Sequence, residues 1–372
     1  MSSKIYPGGL LVLFLILFSC KSDPVKVAAT AAQERNIIID STITAFQKKL
    51  LAQQIDSVFS KTKFNGSISV IRNGEKLYEK QNGFEDFKTK AKLDSNSVFA
   101  IGSVSKQFTA VMILMLEDEG KLNTGDRVSE FLPEFQNKQF ENITVHQLLN
   151  HTSGISDFGS GLQSKPGESF NYSNKGYRFL GEIVARVSEK TFDHYAKELF
   201  ERIGMMHAST ANSFEGNHLA GAYLGNAVRF EKIANMPKRL ASKEISVAAG
   251  GILSTASDLH RWNAALFGGK ILKPATLEKL KTKSSETAHP ILGKVGYGYG
   301  IMMDEGKLES YFHSGYVKGS PSLNIYYPKT KTSVVILSNI ADESKGKNAI
   351  FNPHKDVKRI VDAVENAVSE LK

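Results

Sequence analysis

The chain has 372 residues, of which 41% are hydrophobic and 23% charged, a composition that supports a packed core and excludes a disordered or fibrous protein. Its formal charge of +9 comes from basic residues dispersed along the sequence, which favours a solvated surface over a nucleic-acid site. Cys20 is the single cysteine, so no intramolecular disulfide can form and packing must stabilise the fold.

The first 40 residues predict export. Lys4 precedes an apolar run at 10–18 that is shorter than the roughly 20 residues a membrane-spanning helix needs, and such a run is typical of a signal peptide. The residues at 17–20, Leu-Phe-Ser-Cys, resemble a bacterial lipobox, which implies cleavage before Cys20 and a lipid anchor on its thiol. An ordinary signal peptide with an incidental cysteine is the alternative.

These features predict a lipoprotein signal peptide at 1–19 and a lipid-attachment cysteine followed by a tether at 20–40. The mature protein is then expected in the bacterial cell envelope, held to a membrane by the anchor. Residues 41–372 form the predicted domain.

Apolar periodicity and turn residues predict the elements of that domain. In chain order they are a helix at 41–59 capped by Ser41, a hairpin turning at Asn73-Gly74, an apolar helix at 103–119, a mainly helical lobe at about 121–258, three β-rich runs between 307 and 340, and a closing helix at 356–372. Strands at both chain ends predict an α+β fold, in which helices flank an antiparallel sheet and the helical lobe is inserted.

Ser103 precedes Lys106 by three positions at the start of the apolar helix. Such a serine can be a helix cap or a nucleophile. A spacing of three puts both side chains on one helix face, about 5–6 Å apart at Cβ, and burial of the lysine would lower its pKa and make it a usable base. The same pattern at 60, 344 and 369 does not open an apolar helix.

Two further motifs accompany this pair, Tyr172-Ser173-Asn174 and His313-Ser314-Gly315. The three together resemble the motifs of the serine β-lactamases and penicillin-binding proteins, specifically the class C-like branch with its related esterases and D-aminopeptidases. The stretches LNHTSGISDF, GGILSTASDLHRW, YGYGI and VVILSN also look like family signatures, so the resemblance covers about residues 40–372. It implies a β-lactamase/transpeptidase-like fold.

The resemblance implies a role for each matching residue. Ser103 attacks a carbonyl, Lys106 keeps it deprotonated, and Tyr172 shuttles protons. Asn174 orients the substrate amide and Lys106. The backbone N–H groups of Ser103 and Tyr316 form the oxyanion hole.

The third motif carries His313 where β-lactamases of this branch usually carry a lysine. A histidine is mostly neutral near pH 7, which predicts weak attraction for the carboxylate of a β-lactam and stronger capture at pH 6. Gly315 beside it is expected to let substrate approach the strand.

We therefore predict a serine hydrolase that acts through an acyl-enzyme on an amide, ester or lactam in a small-molecule or peptide-like substrate, without a cofactor. His146 and His151 do not share a helix face, so no metal site is predicted, nor is a nucleic-acid partner. The alternative function is a penicillin-recognising sensor that becomes acylated without efficient turnover.

Overall fold

The computed structural model describes residues 24–226, 228–234, 240, 246–289, 292–346 and 348–371. The predicted signal peptide and Cys20 lie outside these residues. The strands are β1 Gly66–Arg72, β2 Glu75–Asn82, β3 Phe84–Asp86, β4 Ala91–Lys92, β5 Phe99–Ala100, β6 Ser209–Thr210, β7 Tyr223–Gly225, β8 Phe230–Lys232, β9 Ile252–Ser254, β10 Ser285–His289, β11 Gly293–Tyr297, β12 Met302–Asp304, β13 Ser310–Val317, β14 Ser320–Tyr327, β15 Thr332–Ser338 and β16 Ile340–Ala341. The helices are α1 Pro24–Thr62, α2 Ser105–Asp118, α3 Val145–Leu149, α4 Asn174–Ser188, α5 Phe192–Arg202, α6 Val247–Gly250, α7 Ala256–Phe267, α8 Pro274–Lys281 and α9 Asn352–Leu371.

The main sheet joins the two ends of the domain, as predicted. Its eight strands are ordered β10-β11-β12-β13-β14-β15-β1-β2, and β15 pairs antiparallel with β1 from Gly66↔Ser338 to Arg72↔Thr332. The α+β antiparallel fold is therefore confirmed. Long-range pairing of this kind brings the third motif, on β13, into the same sheet as the first hairpin.

The predicted first hairpin is present. Asn73 and Gly74 connect β1 to β2 with φ values of 46° and 84°. Positive φ at both turn positions suits a two-residue type I′ connection, in which the turn follows the twist of the strands. Asparagine and glycine tolerate this backbone region better than other residues, so the dipeptide determines the register of the pair.

Helices cover both faces of the main sheet. On one face, Leu51 and Ile55 of α1 pack in the same buried cluster as Val361 of α9. On the other face, Phe108 of α2 stacks on Trp262 of α7 with ring centroids 3.9 Å apart. This second cluster includes the residues of α2 that follow the Ser-x-x-Lys motif, so the motif is carried by a helix that packing holds in place.

The region between the two parts of the sheet contains α3, α4, α5 and α6, in agreement with a mainly helical lobe. It also contains short strands, among them β9, which lies between β5 and β6 in a three-stranded sheet. Helix α2 contacts both α4 and α6. The first motif therefore lies beside the helix that begins with the second motif.

The start of the first helix differs from the prediction. Helix α1 begins at Pro24, so the part of the predicted tether at 24–40 is helical, and Ser41 lies inside the helix. Its hydroxyl donates to the carbonyl of Ile38 at 2.8 Å instead of capping a first turn. The alanines near the start of the helix favour this conformation, because alanine has the highest helix propensity.

The chain divides into two compact units, residues 1–46 and residues 47–372. The described part of the first unit is helical and exposes Ile37, Ile38, Ile39 and Phe46. Within the described ranges, no helix combines the length and the apolar character needed to cross a bilayer.

Candidate active site

Ser103 lies in a single 3-10 turn, Gly102–Val104, that leads into α2. The residue at the N-cap position of α2 is Val104, and it makes no side-chain capping bond. Ser103 is partly exposed, whereas Lys106 one turn later is fully buried. The serine hydroxyl is thus directed toward the lysine and does not cap the helix.

The Lys106 amine has three hydrogen-bond partners. Its Nζ lies 3.1 Å from Ser103 Oγ, 2.8 Å from Asn174 Oδ1 and 2.7 Å from the carbonyl oxygen of Ala249. The amide oxygen and the carbonyl oxygen can only accept. They use both N–H groups of a neutral amine, and the remaining lone pair then faces the serine hydroxyl.

Helix α6 and strand β9 are fixed to α2 by two buried bonds. Thr109 Oγ1 donates to the carbonyl of Ala248 at 2.7 Å, and the Ile252 N–H donates to Ser105 Oγ at 3.0 Å. The adjacent Ala249 carbonyl is thereby held against Lys106. The polar residues of α2 that face the lobe therefore position an acceptor that the sequence analysis did not identify.

Burial lowers the pKa of Lys106 from its ordinary value of 10.5 to about 7, and the negative charge of Asp157 opposes part of this effect. A buried ammonium loses its hydration, so the neutral form gains relative stability. Near neutral pH a substantial fraction of Lys106 is then uncharged. This is the state in which its lone pair can accept a proton.

Tyr172 of the second motif lies beside the same pair. The Lys106 amine is 4.8 Å from the centroid of its ring, and its hydroxyl is hydrogen-bonded to Ser103. The residue is 37% exposed, yet loss of solvation around the phenol raises its pKa above the ordinary value of 10, while the bond to Ser103 acts in the opposite direction. Tyr172 is therefore a protonated phenol at neutral pH.

His313 of the third motif is fully buried and bonded at both ring nitrogens. Its Nδ1 lies 2.6 Å from the Ser314 carbonyl oxygen and its Nε2 lies 3.1 Å from the Tyr297 hydroxyl. A carbonyl can only accept, so Nδ1 carries the proton and Nε2 accepts from Tyr297. Burial and then the charge of Lys106 lower the pKa of His313 to about 3. The expected protonation of His313 near pH 6 is therefore contradicted.

His151 completes this network from the loop after α3. Its Nδ1 accepts from the Ser173 N–H at 3.1 Å, so its Nε2–H donates to the Tyr297 hydroxyl, also at 3.1 Å. Burial lowers the pKa of His151 well below its ordinary value, with smaller contributions from Lys106 and His313. A neutral chain of donors therefore joins the loop, Tyr297 and the third motif.

Gly315 is needed for close packing of backbones. A Cβ at this position would lie 2.0 Å from the carbonyl oxygen of Ile101, and one at Gly102 would lie 2.7 Å from the Tyr316 nitrogen. Strand β13 and the 3-10 turn with Ser103 are therefore in direct contact. Substrate access was the predicted reason for Gly315, whereas the contact in the structure is with the nucleophile turn itself.

The Tyr316 N–H points toward that turn. A two-residue connection closes the β13–β14 hairpin at Val317↔Ser320, which makes the next pair, Tyr316↔Pro321, a non-hydrogen-bonded one. Pro321 has no N–H to donate, in agreement with this register. Tyr316 therefore directs its N–H away from β14, toward the side where Gly102 approaches. Ser103 lies in the turn that precedes α2, where the first backbone N–H groups have no partner within the helix.

The structure brings the first, second and third motifs together around Ser103, and it adds residues that carried no assigned role in the sequence analysis. These are His151, Asp157, Ala249 and Tyr297. All but Ala249 lie within stretches that resemble family signatures, and Ala249 directly precedes one. In the part of the chain that the structure describes, no cluster of three His, Cys, Asp or Glu side chains could hold a metal ion.

An antiparallel sheet flanked by helices carries a serine in a 3-10 turn and, 3.1 Å away, a buried lysine on the helix that follows, an arrangement that fits the class of serine hydrolases. Comparison with known proteins gives the particular family. The family model described as Beta-lactamase matches residues 41–352, and the chain belongs to this family.

Two relatives and one structural neighbour show what this chain is similar to. PbpX of Bacillus subtilis (strain 168), assigned by its name to the penicillin-binding proteins, is 30% identical over 79% of this chain and 75% of its own length. The octameric penicillin-binding protein homologue from Pyrococcus abyssi is 28% identical, with a TM-score of 0.69 over 78% of this chain and 73% of that one. The D-amino acid amidase from Ochrobactrum anthropi SV3 is 20% identical, with a TM-score of 0.71 over 85% and 99%, so its likeness concerns the fold.

Proposed function

We propose that this protein hydrolyses amides, esters or lactams through an acyl-enzyme on Ser103. The observation that carries the proposal is the environment of Lys106, whose buried amine lies 3.1 Å from Ser103 Oγ and has two obligate acceptors as its other partners. An amine in this setting accepts the serine proton. A serine activated by an adjacent base is the requirement for nucleophilic catalysis.

Acylation begins when Ser103 Oγ attacks the substrate carbonyl carbon and its proton passes to the Lys106 amine. The carbonyl oxygen becomes an oxyanion, which the N–H groups of Ser103 and Tyr316 stabilise. Each such donor is typically worth about 3–4 kcal/mol in the transition state. The short distance between Gly102 and the Tyr316 nitrogen supports this pairing of donors.

Tyr172 then supplies the proton that the leaving group needs. Because its pKa is raised, Tyr172 enters the reaction as a phenol and acts as an acid when the carbonyl–leaving group bond breaks. Acylation leaves Lys106 as an ammonium and Tyr172 as a phenolate. Proton transfer from the first to the second restores both, and water releases the acyl group with the same residues in reverse roles.

Asn174 has a positioning role in this scheme. Its Oδ1 accepts from Lys106 at 2.8 Å, so it limits the directions in which the amine can point. Its Nδ2 donates a hydrogen bond to Asp157 Oδ2 at 3.0 Å and is thereby already engaged. We therefore assign Asn174 to orientation of Lys106, with contact to the substrate amide as an additional expectation from the family resemblance.

The third motif favours substrates without a carboxylate at the position that β-lactams present. His313 is neutral and its two nitrogens are bonded to Ser314 and Tyr297, so it offers no charge to an anionic substrate. We propose that uncharged aryl esters and peptide-like amides, including D-aminoacyl amides, react faster than β-lactams.

We also propose export and attachment to a membrane through a lipid on Cys20, in the cell envelope of a bacterium. The support is the N-terminal sequence, with its basic start, apolar run and lipobox-like ending. Replacement of Cys20 by serine should release the protein from membranes and abolish incorporation of labelled palmitate. A membrane-free wild-type protein with an unmodified thiol would contradict the anchor.

The proposed reaction is tested with purified residues 21–372 and Ser103→Ala as the matched control. A fluorophosphonate, a fluorescent penicillin, an aryl ester and D-aminoacyl amides are offered in parallel. We expect labelling and multiple turnovers in the wild type and neither in the variant, because the substitution removes the nucleophilic oxygen. The fold should stay intact, since no other atom is lost. Hydrolysis by Ser103→Ala would overturn the mechanism, and a burst of one equivalent without further turnover would favour the sensor.

A further inference from the structure

Asp157 follows the loop that carries His151 and accepts four hydrogen bonds from the second motif and the start of α4. The Ser173 hydroxyl and the Lys175 N–H donate to its Oδ1, both at 2.9 Å. The Asn174 N–H and the Asn174 Nδ2 donate to its Oδ2, at 3.1 and 3.0 Å. One carboxylate therefore binds three consecutive residues that begin at Ser173.

This arrangement fixes the amide of Asn174. An asparagine side chain has one donor end and one acceptor end, and a carboxylate can engage only the donor end. With Nδ2 held by Asp157, Oδ1 faces away from the carboxylate and meets the Lys106 amine at 2.8 Å. The orientation of the base thus depends on a residue that touches neither Ser103 nor Lys106.

The carboxylate also lies at the N-terminal end of α4. There it satisfies backbone N–H groups that have no partner within the helix, while Ser173 Oγ accepts from the Gly176 N–H at 3.0 Å. Negative charge is favoured at this end of a helix. Asp157 therefore binds the start of α4 directly beside the active site.

Asp157 is the negatively charged group among the described side chains that face Lys106. The histidines that face it, His151 and His313, are neutral because burial lowers the pKa of each. The two phenols beside its amine, Tyr172 and Tyr177, are neutral because burial raises theirs.

We propose that Asp157 is a positioning residue of the active site, which orients Asn174 toward Lys106 and sets the pH at which the Lys106 amine becomes a base. It acts through Asn174 and through its charge, without contact to the reacting atoms. This proposal deepens the proposed function, since it concerns the same base.

The direction of the pH effect follows from the sign of the charge. A nearby negative charge favours the ammonium form, so Asp157 raises the pKa of Lys106 against the larger effect of burial. Replacement of Asp157 by asparagine removes the charge, and Lys106 should then lose its proton at a lower pH. The variant should also label more slowly at its plateau, because the new amide can turn a donor toward Asn174.

The test measures the rate of fluorophosphonate labelling of Ser103 between pH 5 and 9 in the wild type and in Asp157→Asn. Each rate at pH 6 is expressed as a fraction of the same protein's plateau rate. We expect this fraction to be about 3- to 5-fold larger in Asp157→Asn than in the wild type. Asp157→Glu retains the charge and should keep the wild-type midpoint with a reduced plateau.

Asp86→Asn is the matched control. Asp86 is also half-buried, accepts the N–H groups of Lys88 and Thr89 at 2.7 and 3.0 Å, and pairs with Lys232. Loss of its charge should leave the midpoint of the profile unchanged. An Asp157→Asn profile with an unchanged or higher midpoint would overturn the proposal.

A second measurement does not depend on activity. In protein labelled with ¹³C and ¹⁵N at lysine, the side-chain resonance of Lys106 should titrate at lower pH in Asp157→Asn than in the wild type. If the probe fails to label wild-type Ser103 at any pH, the proposed function fails, while this titration still decides the role of Asp157. If Asp157→Asn does not fold, a lowered midpoint in Asp157→Glu contradicts the proposal and an unchanged one supports it.

Discussion

Lys106 and His313 are both basic residues, both fully buried and both close to Tyr172, yet burial has opposite consequences for them. The pKa of Lys106 falls from 10.5 to about 7, and that of His313 falls from 6.5 to about 3. The two losses are similar, but they start from different ordinary values. The lysine is thereby brought into the range of a working base, whereas the histidine is kept neutral at every physiological pH.

Their hydrogen bonds follow the same division. Lys106 donates to two fixed acceptors and leaves its lone pair to Ser103. His313 uses its proton on the Ser314 carbonyl and its lone pair on Tyr297. Lys106, on α2, is thus prepared for proton transfer, whereas His313, on β13, is held rigidly in place.

Among these substitutions, replacement of Lys106 by methionine should have the largest effect on the rate of acylation. Loss of a general base costs about 10²–10⁴-fold, and residues that act as a unit lose function together, so we expect acylation to fall by about 10³-fold. Initial rates of aryl ester hydrolysis measure it, with the exposed Lys294→Met as control. Near-normal hydrolysis by Lys106→Met would mean that another group is the base.

Gly315→Ala tests whether catalysis requires contact between strand β13 and the 3-10 turn that carries Ser103. The new Cβ would lie 2.0 Å from the Ile101 carbonyl oxygen, so β13 and the nucleophile turn must separate. Loss of one oxyanion donor costs about 10²–10³-fold, and we expect a fall in kcat near the lower figure. Gly161→Ala serves as control, because its nearest neighbour would be 3.7 Å away. Full activity in Gly315→Ala would separate the oxyanion hole from this contact.

His313→Lys should place a positively charged side chain where the wild type has a neutral histidine. A charge-assisted hydrogen bond contributes about 1.5–3 kcal/mol, which corresponds to a gain of about 10- to 100-fold in capture of an anionic β-lactam. Stopped-flow acylation with nitrocefin measures this gain.

The wild type supplies the companion measurement at low pH. Acidification to pH 6 should not improve its capture of nitrocefin, because His313 becomes protonated only near pH 3. Improvement at pH 6 that disappears in His313→Gln would show that the histidine is accessible to protons after all.

Tyr297→Phe should have the smallest effect on catalysis and a measurable one on stability. The hydroxyl bridges His151 Nε2 and His313 Nε2, and its removal leaves two buried ring nitrogens without this partner. An unsatisfied buried polar group costs about 1–3 kcal/mol. Urea unfolding of both proteins gives the difference, and an unchanged free energy of unfolding would mean that the network adds no stability.

The sequence was sufficient to predict the residues whose spacing is local or whose motif is distinctive. The Asn73-Gly74 turn, the apolar helix after Ser103 and the strands that carry His313 were all predicted, and the sheet from both chain ends is confirmed. Strands β10, β11 and β12 were missed, because they are short and their residues do not alternate clearly between apolar and polar.

The remaining features depend on contacts between distant segments. Asp157 meets the second motif across 17 residues, and His151 reaches Tyr297 across 146. Periodicity contains no information about such pairs, although Asp157 and His151 both lie in the stretch LNHTSGISDF, which resembles a family signature. The burial that lowers the pKa values of Lys106 and His313 is also a property of the assembled fold. This explains why protonation of His313 near pH 6 was wrongly expected.

In the proposed mechanism, burial makes Lys106 a neutral base at physiological pH. A titration of wild-type protein labelled with ¹³C and ¹⁵N at lysine, followed by NMR from pH 5 to 11, tests this claim, with Lys106→Arg to assign the resonance. We predict one lysine resonance that titrates near pH 7 and is absent from the variant. A Lys106 resonance that remains that of an ammonium up to pH 9 would contradict the claim.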